Sequence, residues 1–175
     1  MKLFLIILFF ADPGLAADFS LLKQPGYFAL LRHARAPGTG DPKNFNLKRC
    51  ETQRNLSEAG REQAKILGER LRATAGKSLR VYTSQWCRTK NTADLLGLAK
   101  PEDLPLLNSF FAKPGEEDSQ TAALKEWLKA APGPALLVTH QVNITALTDI
   151  FPQEGEVILL KKGDLGKITV VGRVK

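Results

Sequence analysis

The residues best suited to chemistry in this sequence are two histidines, His33 and His140, the only ones in the 175-residue chain. Each lies just past the end of a short apolar run, over 27–31 and 135–139. Both runs predict buried strands, and ligands of open α/β sheets bind outside the carboxyl ends of strands. We therefore expect the two imidazoles to share one site.

Two arginines accompany these histidines. Arg32 directly precedes His33, and a third strand-like run, over 79–83, leads into Arg88 in the opening turn of the next helix. A guanidinium binds phosphate oxygens two at a time, and the free N–H groups of a helix N-terminus also favour an anion. A neutral imidazole can attack phosphorus through one ring nitrogen while a backbone carbonyl holds the other. Together with His140, these residue types predict a site for a phosphoryl group.

Strands and helices alternate along the chain and would position these residues. A stretch rich in Pro, Gly and Asn over 36–53 predicts a long loop, and such a loop is usually functional or disordered. The other predicted elements, in order, are a helix capped by Ser57 and ending near Gly76, a strand over 79–83, a helix over 86–96, an excursion over 100–118, a helical face over 122–128, a strand over 135–139, a helix over 144–150, and strands over 157–160 and 168–171 that form a hairpin or two edge strands. This alternation favours an α/β layered fold with a mostly parallel sheet.

Four blocks of the sequence, in order, resemble the motifs of one enzyme family. Arg-His-Ala at 32–34 resembles an Arg-His-Gly signature, and 56–64 resembles a Leu-Thr-x-x-Gly-x-x-Gln-Ala helix start. Residues 83–93 resemble a Ser-Pro-Leu-x-Arg-x-x-x-Thr-Ala segment, and 138–141 resemble a late Ser-His-Gly element. Over 27–147 the chain is therefore similar to the histidine phosphatase superfamily, the phosphoglycerate mutase-like group. The resemblance implies a three-layer α/β sandwich with helices on both faces of a mostly parallel central sheet.

The resemblance also implies roles for individual residues. His33 would be the nucleophile that becomes a phosphohistidine, which water then hydrolyses. Arg32, Arg88 and His140 would bind the phosphoryl group, and neither a metal nor a cofactor is implied. Three further polar residues beside these motifs are candidate substrate contacts, although each is also consistent with an ordinary surface role: Arg35, Arg54 and Gln141.

The proton donor for the leaving group is where the sequence departs from the family pattern. Family members often carry a glutamate after a Leu-Asn-like pair, but Leu107-Asn108 is followed here by Ser109. Three acidic residues on the same segment are candidates for this role: Glu116, Glu117 and Asp118. The missing glutamate argues against a mutase and leaves phosphatase activity open. The alternative is a non-catalytic phosphate-binding module of the same fold that has lost its acid.

Residues 1–17 have the pattern of a secretory signal peptide, which leaves 18–175 as a single domain. Lys2 supplies a positive charge, 3–10 form an unbroken apolar run, and alanines at 16–17 offer a cleavage point. The run is too short to span a bilayer, and no later segment is long or apolar enough. We therefore expect a periplasmic or secreted protein with no stable membrane span. An uncleaved membrane anchor is the alternative.

Two cysteines, Cys50 and Cys87, each lie beside one of the family-like motifs. Disulfides persist in the oxidising compartments that exported proteins reach. A bridge between these two residues would stabilise the fold by roughly 4 kcal/mol on the chain-entropy model. We expect this disulfide, with two separate thiols as the alternative.

Charge and local motifs give expectations about partners. The formal net charge is +7, which favours anionic substrates, but the lysines and arginines are scattered and no nucleic-acid partner is expected. Segments 34–42 and 50–56 look like an exported bacterial branch similar to lipopolysaccharide-core heptose phosphatases. The expected partner is a small phosphorylated substrate, such as a sugar phosphate or lipopolysaccharide core. A weaker alternative is surface binding of an anionic envelope polymer.

Overall fold

A mixed sheet forms the centre of the protein, whose computed structural model describes residues 18–76 and 79–175. Six strands of this part lie in the order β3-β2-β4-β1-β5-β6. They are β1 (Tyr27–Arg32), β2 (Arg80–Thr83), β3 (Glu102–Asp103), β4 (Ala135–Thr139), β5 (Val157–Lys162) and β6 (Ile168–Val174). The first four are parallel, whereas β5 is antiparallel to both β1 and β6. The last two strands therefore form a hairpin. Of these two, β5 lies inside the sheet and β6 lies at its edge.

Helices cover both faces of this sheet. The α-helices of the described residues are α1 (Glu58–Thr74), α2 (Cys87–Leu95), α3 (Glu117–Ala130) and α4 (Gln141–Thr148), and short 3-10 turns cover Phe19–Lys23, Cys50–Thr52, Pro105–Leu107, Pro114–Glu116 and Asp164–Gly166. Successive residues of a strand point to opposite faces, so Leu136 packs with Leu71 of α1 while Leu137 packs with Leu128 of α3. This arrangement confirms the predicted three-layer sandwich.

Several element boundaries follow the sequence signals, and others depart from them. The Ser57 hydroxyl accepts the N–H of Gly60, which confirms the predicted cap of α1. In contrast, α4 starts at Gln141 rather than near 144. Its N-cap, His140, makes no side-chain capping bond, so the sequence carries no capping signal at this start. Strand β3 was not expected, since a pair of acidic residues inside the excursion has no apolar alternation. The helix α3 likewise begins inside that excursion.

The sheet register decides where the chemically active residues emerge. Strands β1 and β4 are neighbours, and Arg32 lies opposite Thr139 at their carboxyl ends. The residues that follow, His33 and His140, therefore leave the sheet at the same edge. The first turn of α1 packs directly on the segment after β1, because Gly60 has no Cβ and one built there would collide with the carbonyl of Arg35.

The amino-terminal expectations fall outside this description. The predicted signal peptide, residues 1–17, lies outside the described residues, so its assignment remains a prediction. Over 18–76 and 79–175, no helix has the length and apolar character needed to cross a membrane.

Candidate active site

The two histidines meet at the carboxyl ends of β1 and β4. The backbone N–H of His33 donates to the carbonyl of Thr139 at 3.0 Å, which continues the pairing of the two strands by one residue. The imidazole centroids of His33 and His140 lie 5.6 Å apart, with the ring planes at 65°. Both side chains are buried. The structure thus brings together the two histidines that the sequence singled out.

The ring of His33 is held in an orientation suited to nucleophilic attack. Its Nδ1 lies 2.8 Å from the carbonyl oxygen of Ala34. A carbonyl oxygen only accepts, so Nδ1 carries the proton and Nε2 keeps its lone pair. Burial lowers the pKa of His33 to about 3, an effect that the hydrogen bond to Ala34 opposes and the charge of Arg88 reinforces. The imidazole is therefore neutral at ordinary pH, with one nitrogen free to react.

The ring of His140 is fixed from behind by a chain of hydrogen bonds. Its Nε2 lies 2.9 Å from the hydroxyl of Ser84, which in turn donates to Oδ1 of Asn108 at 3.3 Å. The other nitrogen, Nδ1, is buried and has no hydrogen-bond partner among the described residues. Burial lowers the pKa of His140, and the charge of Arg88 adds to this effect. One polar atom of His140 is therefore left for a ligand.

Arg88 lies in the first turn of α2 and forms a two-pronged ion pair with Asp41. Its Nη1 and Nη2 donate to the two carboxylate oxygens at 2.7 and 3.3 Å, and the indole Nε1 of Trp86 donates to one of them at 3.0 Å. Burial would raise the pKa of Asp41, but these hydrogen bonds and the charge of Arg88 hold it below its ordinary value. An ionised carboxylate thus occupies the donors that a phosphoryl group would use.

Two further arginines face the same region. Arg32 donates to the carbonyl of Pro152 at 2.8 Å, and Arg54 donates through Nε to the carbonyl of Gly40 at 2.9 Å. One carboxylate oxygen of Glu154 lies 3.8 Å from a guanidinium nitrogen of each arginine. Burial lowers the pKa of Arg32, which the charge of Glu154 opposes. Glu154 therefore offsets part of the repulsion between two cations that point at one cavity.

Sequence comparison decides the family. The model of the histidine phosphatase superfamily (branch 1) matches residues 28–108, which include Arg32, His33 and Arg88. By this match, residues 28–108 carry the sequence pattern of the histidine phosphatase superfamily. The resemblance predicted from the four motifs is confirmed, while the heptose phosphatase branch remains a prediction. No curated protein matches the sequence.

Solved structures share this histidine phosphatase fold. The protein histidine phosphatase SixA complexed with tungstate has a TM-score of 0.64 at 17% identity, over 85% of this chain and 96% of that one. Rv3214 from Mycobacterium tuberculosis has a TM-score of 0.62 at 17% identity, over 83% and 95%. TTHB049 from Thermus thermophilus has a TM-score of 0.59 at 17% identity, over 85% and 98%. At these identities the likeness establishes the fold alone.

The cavity above His33 collects some of the predicted substrate contacts. Its volume is about 920 Å³, and both Arg54 and Gln141 line it. Gln141 also donates to the hydroxyl of Thr145 at 2.9 Å, as a polar residue at a helix start would. Arg35 is exposed and lies in a separate, smaller depression. Of the three predicted contacts, two face this cavity and one does not.

The three candidate acids are placed very differently. Glu116 lines the cavity, but its carboxylate is half-exposed and pairs with Lys113 at 3.0 Å. Glu117 and Asp118 are exposed in the first turn of α3 and do not line the cavity. Sequence reasoning missed Asp41, which lies in the long 36–53 loop. The length of that loop signalled a functional segment, but nothing in its pattern marked one position.

A disulfide ties this loop to the helix that carries Arg88. Cys50 and Cys87 are bonded, which confirms the predicted bridge and excludes two separate thiols. The side chain of Gln53 accepts the N–H of Cys87 at 2.9 Å, and Phe45 stacks on Trp86 with ring centroids 5.2 Å apart. These contacts hold the loop against α2. No three His, Cys, Asp or Glu side chains of the described ranges are grouped so as to hold a metal ion.

Proposed function

We propose that this protein is an exported, metal-independent phosphatase that hydrolyses phosphomonoesters through a phosphohistidine on His33. The observation that carries the proposal is the neutral imidazole of His33, whose free Nε2 shares the cavity with the guanidiniums of Arg32 and Arg88. A neutral nucleophile beside fixed cationic donors is what attack on a phosphate monoester requires.

The proposed reaction has two steps. In the first, Nε2 of His33 attacks phosphorus, the bond from phosphorus to the leaving oxygen breaks, and that oxygen takes a proton. In the second, water attacks the phosphohistidine, the P–N bond breaks, and inorganic phosphate leaves. Arg32 and Arg88 surround the phosphoryl oxygens in both steps and stabilise the charge that develops on them, and His140 adds a donor once the bound phosphoryl charge lets its Nδ1 take up a proton.

The shape of the cavity supports a small phosphorylated substrate. Its volume of about 920 Å³ exceeds what a phosphate group needs, and aromatic side chains line it beyond the arginines: Phe45, Trp86, Phe111 and Phe151. A sugar phosphate or the phosphorylated core of lipopolysaccharide would place its ring against these aromatic surfaces. Export is supported by the pattern of residues 1–17 and by a disulfide of the kind that persists outside the cytosol.

The alternative is a phosphate-binding module without catalytic activity. Two observations favour it: Asp41 occupies the Nη atoms of Arg88, and Ser109 stands where related enzymes often have a glutamate. Such a module would bind inorganic phosphate at Arg32 and Arg88 without turning over any ester.

Turnover of 4-nitrophenyl phosphate, combined with trapping of acid-labile phosphate on the protein, separates these two functions. We expect turnover that EDTA does not reduce, and an activity loss of about 10⁴-fold or more in His33→Ala, because the nucleophile is gone. His33→Gln is the matched variant that keeps most of the side-chain volume. Wild-type turnover in His33→Ala would refute the mechanism, and phosphate binding without turnover in the native protein would establish the binding module.

Substrate class and export have tests of their own. Release of inorganic phosphate from a panel of sugar phosphates, phospholipid head groups and phosphopeptides would rank the substrates. A mature chain that begins after residue 17 would support export, whereas an intact amino terminus on the cellular protein would contradict it.

A further inference from the structure

The reaction proposed above needs a proton donor for the leaving oxygen, and few carboxylates are near enough. Among the described residues, only Asp41 and Glu116 carry a carboxylate into the cavity that holds His33. Glu116 is half-exposed and paired with Lys113. Asp41 is less exposed, since 17% of its side-chain surface is accessible, and it contacts Arg88 directly. Asp41 therefore touches a residue that would bind the phosphoryl group, whereas Glu116 is paired with a lysine.

The contacts of Asp41 compete with those of a substrate. Both Nη atoms of Arg88 donate to its carboxylate, and a phosphoryl group bound beside His33 would use the same donors. The indole N–H of Trp86 and the backbone N–H of Arg54 also donate to Asp41, at 3.0 and 3.2 Å, and these donors are not needed by the phosphoryl group. When Arg88 turns to the substrate, Asp41 thus remains tethered at the wall of the cavity.

We propose that Asp41 donates the proton to the leaving oxygen and later accepts one from the attacking water. This assignment rests on the proposed phosphatase function. It names a proton donor in place of the glutamate that the sequence lacks after Leu107-Asn108. The phosphoryl group itself switches Asp41 into this role. Before a substrate binds, Arg88 keeps Asp41 ionised, and once Arg88 is shared with a phosphoryl group, the nearby negative charge favours the protonated carboxyl.

The protons balance over one cycle. A substrate monoanion enters with one acidic proton, which passes to Asp41 as the phosphoryl oxygens engage Arg88. As the P–O bond breaks, Asp41 gives this proton to the leaving oxygen and becomes a carboxylate. Water then attacks the phosphohistidine and loses a proton to Asp41, which releases it with the departing phosphate.

Glycines at positions 38 and 40 both have a positive φ, so the backbone beside Asp41 adopts conformations that favour glycine.

A pair of substrates with different leaving groups tests this assignment. Nitrophenolate leaves from 4-nitrophenyl phosphate without a proton, whereas the alkoxide of benzyl phosphate needs one. We expect Asp41→Asn to lower kcat/KM for benzyl phosphate by about 100-fold or more, and for 4-nitrophenyl phosphate by less than about tenfold. Asp41→Glu should restore part of the lost activity on benzyl phosphate, because it returns a carboxyl group.

Controls make every outcome informative. Asp94→Asn, at an exposed position of α2 outside the cavity, is the matched control, and both rates should stay within about twofold of the native values. Equal losses on both substrates would reduce Asp41 to a residue that orients Arg88, and gains on both would make it only an obstacle to anions. A selective loss in Glu116→Gln, or a native enzyme that hydrolyses 4-nitrophenyl phosphate but not benzyl phosphate, would also overturn the assignment. Absence of turnover with either substrate would instead refute the proposed function.

Discussion

On one wall of the cavity, His33 and His140 directly follow adjacent strands of a buried sheet, and on the other, Asp41 and Arg54 belong to a long loop. We call these the sheet wall and the loop wall. The groups of the sheet wall are neutral and held by hydrogen bonds to buried atoms. The groups of the loop wall are charged, and they contact Arg88, the indole of Trp86 and backbone groups around the cavity.

This difference separates two requirements of the proposed chemistry. The nucleophile must be uncharged and correctly oriented before substrate arrives, and a packed sheet provides both through burial and fixed backbone. The repulsion between the arginines must be offset until an anion binds. A loop can provide a carboxylate that offsets it and that the substrate then displaces. The disulfide ties the loop wall to α2, because it bonds the loop to the residue next to Arg88.

The largest expected effect comes from cutting this connection. The Cys50→Ser/Cys87→Ser double variant should lose about 4 kcal/mol in the free energy of unfolding, because the unfolded chain gains the entropy of a loop that spans 37 residues of separation. Urea denaturation measures this, and the native protein assayed with a reductant should match the variant. A loss below about 1 kcal/mol would show that the other contacts of the loop wall fix it without the bridge.

Removal of the side chains proposed to bind the phosphoryl group should lower the activity rather than the stability. In free energy this loss should be nearly as large as that from removing the disulfide. Arg32→Ala, Arg88→Ala and His140→Ala should each lower kcat/KM by about 100- to 1,000-fold, since each removes one group that binds the phosphoryl oxygens, while the circular dichroism spectrum shows that the fold stays intact. Arg61→Ala, an arginine of α1 outside the cavity, is the matched control. Native activity in any of the three variants would mean that the cavity does not bind the phosphoryl group as described.

The smallest effect tests the neutrality of the sheet wall. Burial lowers the pKa of His33 from an ordinary value of 6.5 to about 3, so between these values the unfolded chain binds more protons than the folded one. The free energy of unfolding should therefore fall by about 2 kcal/mol between pH 7 and pH 5 on account of this residue. His33→Gln lacks that contribution, so urea denaturation at both pH values should show a shallower loss in the variant. Equal losses would mean that His33 titrates normally in the folded protein.

Some features of the site were accessible from the sequence because local signals carry them. Apolar runs that end just before His33 and His140 mark strand ends, and the hydroxyl of Ser57 marks the start of α1. Other features depend on contacts that no local pattern records. The start of α4 has no capping bond, and β3 exists only because two residues pair with β2.

The sequence by itself determined the layered α/β fold, the family and the strand-end histidines, because periodicity and motif spacing are properties of neighbouring residues. Tertiary structure alone decided which groups face one another. The pairing of Asp41 with Arg88 joins residues 47 positions apart, and Glu154 reaches Arg32 across more than a hundred residues. Such pairs depend on how the loop packs onto α2 and how the strands assemble, and a sequence contains this information only through the complete fold.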